Sequence, residues 1–143
     1  MQSTHKVTID INKIADQWAR IEDVAKSENW KYSYDIDTDN LYFSPKKLVG
    51  DLHPFTLKND YTLLLDPESN VKGLFIEYFK NNLTSHDSRF KNMKNLFTKK
   101  GQNKTEKIHF MEIVAKDILS ELQLNYKNKP NIEAYIPGPM YAV

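Results

Sequence analysis

Asp35, Asp37 and Asp39 stand at alternate positions, the spacing with which calcium loops begin, because alternate carboxylates can converge on one hard cation. The rest of such a loop is missing. Its sixth position is Asn40 where a glycine is needed, and its twelfth is Lys46 where a bidentate glutamate closes the site. Asp and Asn are also favoured in turns, where their side chains bond to nearby backbone. Residues 35–40 are therefore read as an acidic hairpin turn, and no metal is expected there. His5, His53, His86 and His109 are scattered, none at the spacing of three to five that pairs zinc ligands. Glu77, His86, Asp87 and Arg89 are the one group with the composition of a general base with cationic support, as a metal-independent nuclease uses. That reading requires the four to converge in a concave site. The chain has no phosphate-cradling glycine loop and no nucleophile elbow. It is read as non-enzymatic, with no catalytic residue and no cofactor.

The net charge of +1 conceals an asymmetry, since residues 1–88 hold 10 Lys+Arg against 14 Asp+Glu and residues 89–143 hold 10 against 5. The excess lies in Arg89, Lys91, Lys94, Lys99, Lys100, Lys104 and Lys107, with Glu106 the single acid among them. Such a patch attracts nucleic acid or an acidic protein, so Arg89, Lys91, Lys94, Lys99 and Lys100 are the candidate nucleic-acid contacts. The plainer reading is a solvated helix and loop. Phe90 and Phe97 fall inside the stretch, but their spacing of seven is that of a buried helical face rather than a base-stacking platform.

The elements that must position these residues follow from periodicity. A chain of 143 residues is one domain, 1–143, and 12% aromatic residues is more than a disordered chain carries. There is no cysteine, which suits a reducing compartment. No apolar run approaches a signal core or a membrane span, so a soluble, cytoplasmic protein is expected. Val7, Ile9 and Ile11 alternate with polar residues as in a short strand or arm. Ile14, Trp18, Ile21 and Ala25 share one face of a helix over 12–26, capped by Asp10 or Asn12.

Residues 31–79 read as two β-hairpins. Strands 30–34 and 41–44 flank the acidic turn, and Pro45 ends the second. Segment 46–59, with Gly50 and Pro54, is a loop with one helical turn. Strands 60–65 and 71–79 flank the turn 66–70, and Gly73 marks a bulge or a close backbone approach. Helices follow over 87–125. A short one carries Phe90, Met93, Leu96 and Phe97, starts at Asp87 or Ser88 and is ended by Gly101. A longer one begins at Thr105, with Ile108, Met111, Ala115, Ile118 and Leu122 facing the core. The fold expected is α+β: a four-stranded, mainly antiparallel sheet with amphipathic helices packed on one face.

The tail over 128–143 interleaves Pro130, Pro137, Gly138 and Pro139 with Ile132, Tyr135, Ile136, Met140 and Tyr141. It cannot be regular helix and is too apolar to lie free in water. It docks either on its own sheet or on a partner, so these five apolar residues are the candidate partner-binding set.

The two hairpins resemble a small bacterial domain family associated with an antitoxin role, whose pattern is tyrosine-aspartate, an acidic turn and leucine-tyrosine-hydrophobic. A strand ending in aspartate and then valine-x-glycine-x-x-isoleucine-glutamate follow. Here these are Tyr34, Asp35, Asp39, Leu41, Tyr42 and Phe43, then Leu65, Asp66, Val71, Gly73, Ile76 and Glu77. The resemblance covers about residues 31–79 and implies a toxin-neutralising role without catalytic residues. The favoured function is therefore a non-enzymatic protein-binding or inhibitory protein: an antitoxin, an immunity protein or a phage inhibitor of a host enzyme. The alternative is a small nucleic-acid-binding protein or nuclease using the basic 77–107 region.

Overall fold

The computed structural model describes residues 4–58, 60–98 and 103–137. Strand β1 (Thr4–Asp10) runs directly into α1 (Ile11–Ala19). Asp10 makes the junction: its backbone is extended and its carboxylate accepts from the Lys13 amide at 3.1 Å, satisfying one of the free donors of the first turn. The helix expected over 12–26 is in fact two, because Arg20 leaves helical geometry (φ −119°, ψ 28°) and α2 (Ile21–Ser27) starts afresh. The apolar stripe survives the break. Ile14, Trp18, Ile21 and Ala25 are all buried.

The main sheet has five strands rather than four, all antiparallel, in the order β2 (Trp30–Asp35), β3 (Asn40–Pro45), β6 (Val71–Ile76), β5 (Thr62–Leu65), β4 (His53–Thr56). The added strand β4 lies in the segment read as loop. It has only two inward residues, His53 and Phe55, and Pro54 between them disguises the alternation. Proline is tolerated there because β4 is an edge strand with one side free of a ladder. The β2–β3 and β5–β6 hairpins are the two expected, joined by β3 pairing with β6. Gly73 is a close approach: a Cβ there would sit 2.9 Å from the Ser44 Cβ. The ladder is also irregular one strand away, between Leu64 and Leu65.

Beyond β6 the chain turns sharply at Tyr78 (φ 53°) into a π turn (Phe79–Leu83), a single helical turn α3 (Thr84–His86) and a 3-10 turn (Ser88–Met93). These replace the short helix expected around Phe90 to Phe97. Helix α4 (Lys104–Tyr126) is capped by Asn103, whose side chain accepts from the Glu106 amide. Strand β7 (Asn131–Pro137) returns to pair with β1 in a separate two-stranded sheet. Among the described residues no helix is long and apolar enough to cross a membrane.

One core joins the helices to the inner face of the five-stranded sheet, where Leu41, Phe43, Leu63, Leu65, Leu74 and Ile76 are buried. Phe110 of α4 is fully buried at its centre, with the rings of Phe79, Phe90 and Phe97 edge-on at 5.9, 5.5 and 5.2 Å. Met111, Ile118 and Leu122 face the core as expected. Ile108 does not: it is 54% exposed, and Ala115 is only half-buried. With successive residues about 100° apart, the buried arc of α4 is centred to include Phe110, Val114 and Glu121, which turns Ile108 off its edge. Ile118→Ala is accordingly expected to cost about 2–5 kcal/mol, and Ile108→Ala less than about 0.5 kcal/mol. Urea denaturation of both variants checks this, and equal costs would refute the assignment of the α4 face.

Candidate functional site

The acidic turn is part of the fold. Asp39 adopts a left-handed backbone (φ 59°) and is 7% exposed. Its carboxylate accepts from the Tyr34 hydroxyl and from the amides of Lys80 and Asn81, both at 2.9 Å, while its carbonyl accepts from the Phe79 amide at 2.8 Å. Burial works to raise the Asp39 pKa, but the three hydrogen bonds and the nearby Lys80 ammonium outweigh it and hold the carboxyl below its ordinary range. The Tyr34 hydroxyl is pushed up to about 12 by burial and by that bond. Asp35 accepts from the Asp37 amide at 3.0 Å. The carboxylates of Asp35 and Asp39 thus have separate tasks within the turn. Among the described residues there is no group of three or more His, Asp or Glu that could hold a metal.

The 77–107 cluster divides in the same way. Arg89 donates to Asp87 at 2.7 Å and, through two nitrogens, to Asp117 at 2.9 and 2.8 Å. Asp117 also accepts from the Tyr61 hydroxyl at 2.7 Å. The Arg89 guanidinium bonded to Asp87 lowers that carboxyl's pKa, and burial followed by Asp117 raises Tyr61. His86 Nε2 lies 3.0 Å from Asp60, which also accepts from Asn82 at 2.7 Å. Glu77 is exposed and joins neither group. Glu77 therefore stands outside these pairs, while His86, Asp87 and Arg89 are each engaged with a charged partner. Asp60, Tyr61 and Asp117, which sequence reasoning passed over, are the actual partners. Nothing local marks them, since Asp60 and Tyr61 lie in the loop before β5 and Asp117 on α4, 56 residues from Tyr61. Of the candidate nucleic-acid contacts, Arg89 is bracketed by two carboxylates, and Lys91 and Lys94 are exposed on a cleft of about 360 Å³. Lys99 and Lys100 lie outside the described residues.

The tail pairs within its own chain. Ile9 is opposite Ile132 and Val7 opposite Ala134, and these four pack on the core. The ribbon is anchored to the turn 66–70: Ser69 Oγ accepts from the Asp10 amide at 2.9 Å and donates to the Thr8 carbonyl at 3.3 Å. Gln17 of α1 donates to the Ser69 carbonyl at 2.9 Å and accepts from the Val71 amide at 2.8 Å. Of the candidate partner-binding set, Ile132 is half-buried, Tyr135 is 70% exposed and Ile136 is in the ladder opposite His5. Met140 and Tyr141 lie outside the described residues.

Two further surfaces combine shape with distinct chemistry. Where α2 and the start of α4 diverge over the inner face, they leave an apolar cleft of about 270 Å³. Its floor is Tyr32 and Phe43, stacked at 4.2 Å; its walls are Ile21, Ala25, Ile108 and Met111; Glu22 and Lys107 complete the lining. On the outer face of the sheet, Tyr42 of β3 and Phe75 of β6 are paired in register and stacked at 4.9 Å. Comparison of the chain with protein-family models, curated proteins and solved structures finds no match.

Two outcomes follow. Deleting residues after Pro130 strips β1 of its partner and uncovers Val7 and Ile9, so the melting temperature should fall by several degrees; an unchanged value by calorimetry would mean the ribbon adds nothing. His53 is 2% exposed on β4, and burial depresses its pKa from 6.5 more strongly than Asp66 raises it. The unfolded chain therefore binds a proton more readily than the folded one. The stability gained by burying neutral His53 is complete above pH 6.5 and is lost as pH falls from there toward the depressed folded value. His53→Leu should flatten this acid-side loss in urea titrations, and parallel curves for the two proteins would contradict it.

Proposed function

We propose that this chain is a non-enzymatic binding protein that captures another protein. Its most concrete form is a toxin-neutralising antitoxin or immunity protein, or a phage inhibitor of a host enzyme. The observation that supports the reading is Ile108, a large apolar side chain 54% exposed on the wall of the cleft between α2 and α4. Binding energy in protein interfaces concentrates where one apolar or aromatic anchor fills a dry pocket. This cleft offers such a pocket, with an aromatic floor and aliphatic walls. Its volume lies just below the 300 Å³ at which small-molecule sites begin, which favours a single side-chain anchor over a cofactor. The polar residues that first invited a catalytic reading serve in this account as internal fastenings of the fold.

The reading is tested by isolating the partner from the native host, reconstituting the complex from pure components and measuring affinity by calorimetry. Ile108→Asp places a charge on the wall of the cleft at a position that is itself exposed, so the fold should persist. Affinity should fall by about thirtyfold or more. A partner bound equally well by wild type and Ile108→Asp would remove the cleft from the interface.

A further inference from the structure

We infer that the outer face of the five-stranded sheet binds single-stranded nucleic acid, with a base stacked on Tyr42 and the backbone phosphates held by Lys31, Lys46 and Lys47. Tyr32 of β2 lines both this groove and the protein-capture cleft, but Tyr42 and the three lysines belong to the groove alone, and the two readings are tested separately. The buried apolar residues of α1, α2 and α4 all belong to the core on the inner face, so among the described residues no helix packs its apolar side onto the outer face around β2, β3 and β6. A groove of about 600 Å³ runs there between β2, β3 and the loop that follows β3. Tyr42 lines it, with Ser33 and Ser44 beside the ring and the three lysines around it, and no acidic residue contributes to the lining. Phe75 covers one side of the Tyr42 ring at 4.9 Å, with an interplanar angle of 14°. Phe75 thereby holds the ring upright, and its remaining surface is what the groove offers.

That combination has a chemical meaning. Sequence-tolerant binding of single strands needs an aromatic surface for a base and a cationic track for phosphates, and both occur here within one groove. A duplex hides the base faces that Tyr42 would stack on, so it gains only the charge attraction. The serine hydroxyls can donate to or accept from a base edge. Asp35 lies at the far end of β2 from Lys31, which gives the face a polarity and directs the phosphates toward the lysine end. With a net charge of only +1, the molecule has no general attraction for polyanions, and the local lysines decide.

The test is fluorescence anisotropy of the full chain with end-labelled oligothymidylate and oligouridylate of about ten nucleotides, at salt between about 50 and 200 mM. Binding in the micromolar range is expected, weakened roughly tenfold or more by Tyr42→Ala. The exposed pair Lys46→Glu/Lys47→Glu should lower the salt slope by about 1.4 and keep the melting temperature. It carries the test if Tyr42→Ala does not fold. Lys91→Glu/Lys94→Glu should change nothing. The proposal is overturned if neither oligonucleotide binds, if a duplex of equal length binds as tightly and Tyr42→Ala has no effect, or if loss follows Lys91 and Lys94 instead. Equal affinity for polyglutamate would show an acidic-protein surface in place of a nucleic-acid site.

Discussion

The pairing of β3 with β6 is the contact on which the rest of this molecule depends. It sets Leu41 against Ile76, Tyr42 against Phe75 and Phe43 against Leu74, residues more than thirty positions apart. A single hairpin is marginal in water, and a sheet becomes stable when more strands share a hydrophobic face. This one ladder converts two hairpins and the edge strand β4 into that sheet. Its inner residues form the floor on which α4 lies, and its outer residues form the Tyr42–Phe75 stack. It also brings the turn after β3's neighbour to the acidic turn before β3, so that the amides of Phe79, Lys80 and Asn81 meet Asp39. Gly73 serves the same junction, since a side chain there would collide with Ser44.

Burial of the inner face shapes much of what lies outside the ladder. That dry face requires a layer against it, and α1, α2 and α4 with the Phe79 to Met93 turns supply it. The layer is uneven. Where α2 and α4 separate, the stacked rings of Tyr32 and Phe43 are left as the floor of a cleft. Two matches hold charged groups beside the core: Glu121, buried on α4, accepts from the Lys58 amide, and Arg89 joins Asp87 to Asp117. Leaving the buried Glu121 carboxylate unmatched would carry the cost of its desolvation, whereas the Arg89 pairs are open to water and contribute less.

The functional readings follow from this division. Residue types that resemble a reactive constellation in the sequence are held apart or are joined in structural pairs, whereas the cleft and the outer groove combine unmatched shape with particular chemistry. The first offers apolar depth on the helical side; the second offers an aromatic ring among lysines on the sheet side.

Local periodicity in the sequence determined the hairpin pairs, the stripe of Ile14, Trp18, Ile21 and Ala25, and the burial of Met111, Ile118 and Leu122, because an alternation of two or of 3.6 is a property of adjacent residues. The tertiary structure alone decided the rest. Strand β4 exists because β5 offers it an edge, since its own four residues, one of them proline, carry too little pattern. Ile108 is exposed because Phe110 sets the rotation of α4, and a helical stripe read in isolation has no reference for that rotation. Arg89 lost its place among the free cations to Asp117, 28 residues away, and the tail found β1 at the other end of the chain. Each of these is a choice among distant partners, made by packing and by the need to match buried charge, and no spacing within a short stretch of sequence records it.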